Sequence, residues 1–168
     1  IKLMLCLLTY FKRRKMQQLF KVEATMMIEA AITRFKINQN QLLDKSKIIG
    51  FDTEIVGDIS INEKEKLAKI IFPTKLIAIN QNNEKLDYEV QIQGEFTYKV
   101  ENISDFIALD EKKGKVINGE LGITLAGIAY STYRGMMMYA GKGTLVERFI
   151  LPIINPSILL NMSSSDGE

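Results

Sequence analysis

Histidine and tryptophan are absent from this 168-residue chain, and cysteine occurs once, at Cys6. Without histidine there is no catalytic triad, and zinc sites built from Cys and His are excluded. A lone cysteine forms no intrachain disulfide and fits a reducing compartment, so the expected location is the cytoplasm. Carboxylates and lysines remain, but they are scattered, with no acidic cluster, Gly-rich phosphate loop or nucleophile elbow. Gly141-Lys142-Gly143-Thr144 has the end of a phosphate loop without the strand and spacing that should precede it, and reads as a helix stop. The expectation is therefore no catalytic residue, no metal, no cofactor and no enzyme. No apolar run approaches the roughly 20 residues that span a bilayer, so stable membrane insertion is not expected.

What the chain has is alternation. From Leu86 to Val100 one parity carries Leu86, Tyr88, Val90, Ile92, Phe96, Tyr98 and Val100, and the other carries polar residues throughout. Successive side chains of a strand point to opposite faces, so this predicts a strand of roughly 50 Å in an antiparallel sheet that is wet on one side. Gly94 is the gap in the apolar row and reads as a bend or bulge. Three further strands precede it. The first, over 22–37, has Met26, Ile28, Ala30 and Ile32 in phase, and a switch near Thr33 and Arg34 that suggests a bulge. The second is carried by Ile49, Phe51, Thr53, Ile55, Ile59 and Ile61. The third spans 67–80 and contains Pro73, which places it at an edge or a bulge. Gln81-Asn82-Asn83-Glu84 reads as a hairpin loop.

After the sheet come a short apolar segment (103–109) and a charged loop (110–115). A helix follows from Gly119, with Leu121, Leu125, Ile128, Ala129, Thr132, Met136 and Tyr139 at helical spacing, ended by Gly141 and Gly143. It is apolar around most of its circumference, so something besides its own sheet should cover it. An apolar stretch with Pro152 and Pro156 leads to a brief terminal helix. The fold class expected is α+β: a four-stranded antiparallel sheet with one face packed by a long C-terminal helix plus a short terminal one.

Ile1 to Phe11 is almost wholly apolar and is followed by Lys12, Arg13, Arg14 and Lys15, the reverse of the order in a secretory signal. Met16 offers an alternative start. Residues 1–21 thus read as an extension foreign to the protein or as an amphipathic interface segment, a membrane anchor being the third reading. A single domain is expected over 22–162 and a frayed polar tail over 163–168. Basic residues elsewhere are balanced by acids, so nucleic-acid binding is not expected.

Three segments resemble the SecB family of protein-export chaperones. Glu89-Val90-Gln91 with Gly94 and Phe96 is similar to the family's fourth strand. Ala129 through Arg134-Gly135 resembles its long helix, and Leu151-Pro152-Ile153-Ile154-Asn155-Pro156 its connector. The resemblance covers about 24–162. It implies a homotetramer, a dimer of dimers, with Leu121, Leu125, Ile128, Thr132 and Tyr133 at the oligomer interface. It further implies an ATP-independent holder of unfolded polypeptide clients, binding through Ile150, Leu151, Ile153, Ile154, Ile158, Leu159 and Leu160 with Met136, Met137 and Met138 nearby. In the family, wet-face acids dock the motor ATPase SecA; Glu89 matches one such position and Asp87 is its neighbour on the same face, so the resemblance implies docking through Asp87 and Glu89. The zinc-binding tail of export members has no counterpart in 163–168, which suits equally the branch of the family that holds antitoxins. Arg134 reads as a brace. The competing reading is a module that encloses a small apolar ligand between sheet and helix.

Overall fold

The computed structural model describes residues 24–40, 42–110 and 114–161. Strands β1 (Thr25–Gln39), β2 (Gly50–Ile55), β3 (Asp58–Asn62), β4 (Leu67–Ile79) and β5 (Lys85–Val100) form one antiparallel sheet in the order β1-β5-β4-β2, with β3 also on β4. A hairpin, β6 (Ile107–Asp110) and β7 (Gly114–Ile117), leads into helix α1 (Gly119–Ala140). A 3₁₀ turn (Leu145–Arg148), an extended connector and helix α2 (Pro156–Asn161) complete the chain. The expected α+β architecture is present. The expected extension over 1–21 and the tail over 163–168 lie outside the described residues.

On β5 the alternation holds from end to end: Tyr88, Val90, Ile92, Gly94, Phe96, Tyr98 and Val100 are buried and their neighbours are not. The expected second strand is two. β2 pairs with Thr74–Ile79 and β3 with Leu67–Ile71, and the chain breaks pairing at Val56 and Gly57. Pro73 lies opposite that break, its carbonyl accepting from Val56 N at 3.4 Å. In an antiparallel pair a residue's N–H and C=O point the same way, so the missing donor faces the gap. This corrects the expectation that the proline marks an edge or bulged strand: β4 is central, and its neighbour is interrupted instead. β1 carries two irregularities, at Ile28 and at Thr33, where one was expected. Met27, opposite Tyr98, therefore faces the core, and Met26 and Ile28 are exposed.

Gly94 shows no bulge on its own strand. A Cβ there would lie 2.5 Å from the Tyr133 ring of α1, so the missing side chain is room for the helix. Tyr133 stacks on Phe72 (centroids 5.7 Å) and meets Phe96 edge-on (6.1 Å), and its hydroxyl donates to Thr74 Oγ1 at 2.9 Å. Tyr130 meets Phe72 edge-on as well. Rings thus fill the space between α1 and the sheet. Asn118 caps α1 by accepting from Glu120 N at 2.9 Å. At its other end Gly143 takes the left-handed conformation (φ 76°), and Thr144 caps the 3₁₀ turn through Val146 N. Gly141 to Thr144 is a helix stop, as its spacing suggested.

Four strand rows at about 4.8 Å make a sheet roughly 19 Å wide, and a helix covers only about 10 Å of it. The remainder of the apolar face falls to α2 and the connector. Leu159 of α2 sits over Gly57 and Phe72 where the edge strand breaks, and Pro156 rests on Gly127 of α1.

Gly94→Ala forces the enclosed Tyr133 ring to move and costs about 2 kcal/mol of unfolding free energy, read from the urea midpoint. Adding Tyr133→Leu recovers part of the loss. An unchanged midpoint in the single variant would show that the close approach is not there.

Candidate functional site

Tyr130 and Arg134 stand one helical turn apart on α1 and hold successive carbonyls of the connector. Tyr130 donates its hydroxyl to the Pro152 oxygen at 2.9 Å, and Arg134 donates Nε–H to the Leu151 oxygen at 2.8 Å. Arg134 is the brace its sequence position suggested. The clamp fixes the connector's rotation: Leu151 is driven into the core (1% exposed), whereas Ile150 (51%) and Ile153 (86%) are held outward.

The expected client residues therefore divide. Ile150, Ile153, Ile158 and Met138 are exposed, and Ile154 and Met136 are half-buried. Leu151, Leu159 and Met137 are enclosed by their own protomer, which removes them from any client surface. The Leu160 side chain lies outside the described residues. The expected interface residues divide in the same way. Leu121, Leu125 and Tyr133 are wholly buried against their own sheet, a correction that leaves Ile128 (43% exposed) and the half-buried Thr132 on the outward face of α1. No charged side chain interrupts that face between Thr124 and Met138, where Ile128, Ser131 and Gly135 fill the intervening turns.

A groove that the sequence did not indicate lies where the 3₁₀ turn crosses the end of the sheet. One part, about 410 Å³, is walled by Ile48, Ile49, Phe51, Leu145 and Phe149. The next, about 560 Å³, reaches Ile37, Gln39 and Tyr88, and the two share Lys45, Thr144, Leu145, Glu147 and Arg148. Phe51 meets Phe149 edge-on at 5.3 Å and Tyr88 at 6.1 Å, giving the groove an aromatic floor. None of the ten expected client residues lines it. Its signal in the sequence is faint, since Ile48 and Ile49 precede a strand and Phe149 opens the connector, and only tertiary packing unites them.

The opposite face of the sheet is a lattice of ion pairs. Lys75 meets Glu89 at 3.0 Å and Lys69 meets Glu95, both across β4 and β5, and Lys85 meets Asp52 at 2.9 Å. Glu95 also accepts from Gln93 Nε2 and Thr33 Oγ1, each at 2.9 Å. These hydrogen bonds, that from Lys69 foremost, hold the Glu95 carboxyl below its ordinary value. Gln91 and then Lys75 do the same for Glu89. Of the two acids expected to dock a motor, Asp87 is exposed and Glu89 is already engaged by its own lysine. Among the described residues no group of acids is placed to hold a metal ion, and no helix is long and apolar enough to cross a membrane.

A twisted antiparallel sheet with a long helix clamped to one face and a short one beyond it constitutes a SecB-like fold. Among solved structures the chain is similar to the Rv1957 SecB-like chaperone of Mycobacterium tuberculosis, solved in complex with a ChAD peptide from the Rv1956 HigA1 antitoxin. The TM-score is 0.56 at 8% identity, over 79% of this chain and 92% of that one. A Streptococcus agalactiae protein of unknown function superposes more loosely, with a TM-score of 0.37 at 7% identity over 77% and 96% of the two chains. No protein-family model matches the sequence, and no curated protein does.

The depressed carboxyls set the sign of a pH effect. A carboxylate whose folded pKa lies below its unfolded value adds stability above the unfolded pKa, and loses it as pH falls through the folded one. The urea midpoint of the parent should therefore drop below about pH 4.5. Glu95→Gln should flatten that acid limb, and identical limbs in parent and variant would contradict the ion-pair lattice.

Proposed function

We propose that this protein is an ATP-independent holding chaperone, taking extended non-native polypeptide into the groove at the end of the sheet and along the exposed connector. The observation that carries the reading is the clamp. Two side chains of α1 spend their hydrogen bonds holding Ile150 and Ile153 in water, an arrangement that costs stability unless an apolar partner arrives. An extended guest suits the place because β2 is an outer strand of the sheet beside the groove, and a sheet edge can take on a further strand through main-chain hydrogen bonds. The likeness to a SecB-like chaperone solved with an antitoxin peptide supports the same reading at the level of the fold.

The protomers assemble as a homotetramer, a dimer of dimers, through the uncharged outward face of α1 about Ile128 and Thr132, and act in the cytoplasm. Of the two uses open to such a holder, stabilising an antitoxin is favoured over export through SecA, because Glu89, the wet-face acid that matches a SecA-docking position, is paired with Lys75. The alternative of a small apolar ligand between sheet and helix has to contend with Phe72, Phe96, Tyr130 and Tyr133 occupying that space.

The purified protein, with a mass by light scattering close to four times 19.1 kDa, should suppress aggregation of a reduced, slow-folding client at stoichiometric amounts. Ile150→Ser/Ile153→Ser should lose most of that suppression while its unfolding free energy in urea stays within about 0.5 kcal/mol of the parent, since both side chains are exposed. Aggregation proceeding unhindered in the presence of the parent would overturn the chaperone reading, and a monomeric mass would overturn the assembly.

A further inference from the structure

The groove's rim carries two cations to one carboxylate: Lys45 and Arg148 line both of its parts, and so does Glu147. Lys45 stands on the turn before β2 and Arg148 at the end of the 3₁₀ turn, and both side chains are exposed. Neither makes an ion pair among the described residues. The neighbouring carboxylates keep their charge and make hydrogen bonds of their own, and the lining is left with one positive charge in excess. Glu147 Oε2 accepts from Gly143 N at 3.0 Å, and Asp44 Oδ1 accepts from the amide and hydroxyl of Ser46 at 3.1 and 2.6 Å. Those Ser46 bonds hold the Asp44 carboxyl below its ordinary value, so it stays a satisfied anion facing its own turn. The same groove is lined by the apolar Ile49, Phe51 and Phe149.

We infer that the groove selects guest segments in which an aromatic or branched aliphatic side chain is immediately flanked by Asp or Glu. The inference rests on the chaperone reading and adds a chemical preference to it. The apolar side chain enters against Phe51 and Phe149, and the carboxylate reaches Lys45 or Arg148 at the rim. Alternate side chains of an extended guest point to opposite sides, so a carboxylate next to the buried residue is turned out of the hollow and not into it. Partly solvated pairs of this kind discriminate modestly, by about fivefold for a carboxylate against a neutral flank. That is enough to rank guests without abolishing breadth.

The test uses three fluorescent peptides with one shared apolar core of Phe and Ile and with Asp, Ser or Lys flanks, titrated with the full-length protein and read by anisotropy. The Asp-flanked peptide should bind about fivefold tighter than the Ser peptide and the Lys peptide weakest, with the spread shrinking as salt rises. Lys45→Glu/Arg148→Glu should invert the order. If that variant melts early, Lys45→Gln/Arg148→Gln should level it. Equal affinities for the three peptides in a protein that still suppresses aggregation would overturn the charge preference alone, as would an order that survives reversal. Failure of all three peptides to bind, together with unhindered client aggregation, would overturn both readings.

Discussion

A sheet four rows wide has one apolar face, and a single helix covers about half of it. That mismatch organises the molecule. The helix takes the centre, where Gly94 lets Tyr133 down onto the strand beneath it. The margins are left to pieces too short to be independent: a 3₁₀ turn over Phe51, a connector and a helix of six residues. Short pieces cover imperfectly. The groove between turn and sheet, and the outward isoleucines of the connector, are what remains uncovered when a wide surface is sealed with narrow elements.

How the connector lies is decided by hydrogen bonds and not by hydrophobicity. Ile150, Leu151, Ile153 and Ile154 have similar affinity for a core, and the chain has no helical or strand period through them that would choose. Tyr130 and Arg134 choose by taking the carbonyls of Leu151 and Pro152, which turns Leu151 inward and its neighbours outward. The same helix therefore supplies both the core beneath and the display above. The proposed holding activity follows from this division of labour: rigid support, with apolar surface lent to whatever passes.

The fold was legible wherever one face is buried and the other wet. β5 declares itself through its parity, and α1 through its spacing and the glycines that end it. The split of β2 from β3 was not legible, because Ile55, Ile59 and Ile61 keep the same parity across the break and Gly57 looks like any small strand residue. The break is met by Pro73 of β4, which lacks the donor for that position, and by Leu159, a hundred residues away in the chain, which packs at Gly57. Met26 and Met27 are adjacent and alike, so the phase at the start of β1 could not be read before the bulge at Ile28 was seen. In the connector, sequence could not sort the inward Leu151 from the outward Ile153. It missed Ile48, Phe51 and Phe149 altogether, since three residues from three elements leave no pattern. Glu89 was legible as a wet-face acid, but its lysine partner on the neighbouring strand was not.

Amide hydrogen exchange of the whole protein, with and without a reduced client bound, reaches the central claim most directly. Protection on binding should concentrate at 48–51 and 149–154, the groove wall and the clamped connector, with β5 already protected and unchanged. Protection confined to the ion-paired face of the sheet, or none in a complex that demonstrably forms, would contradict the account.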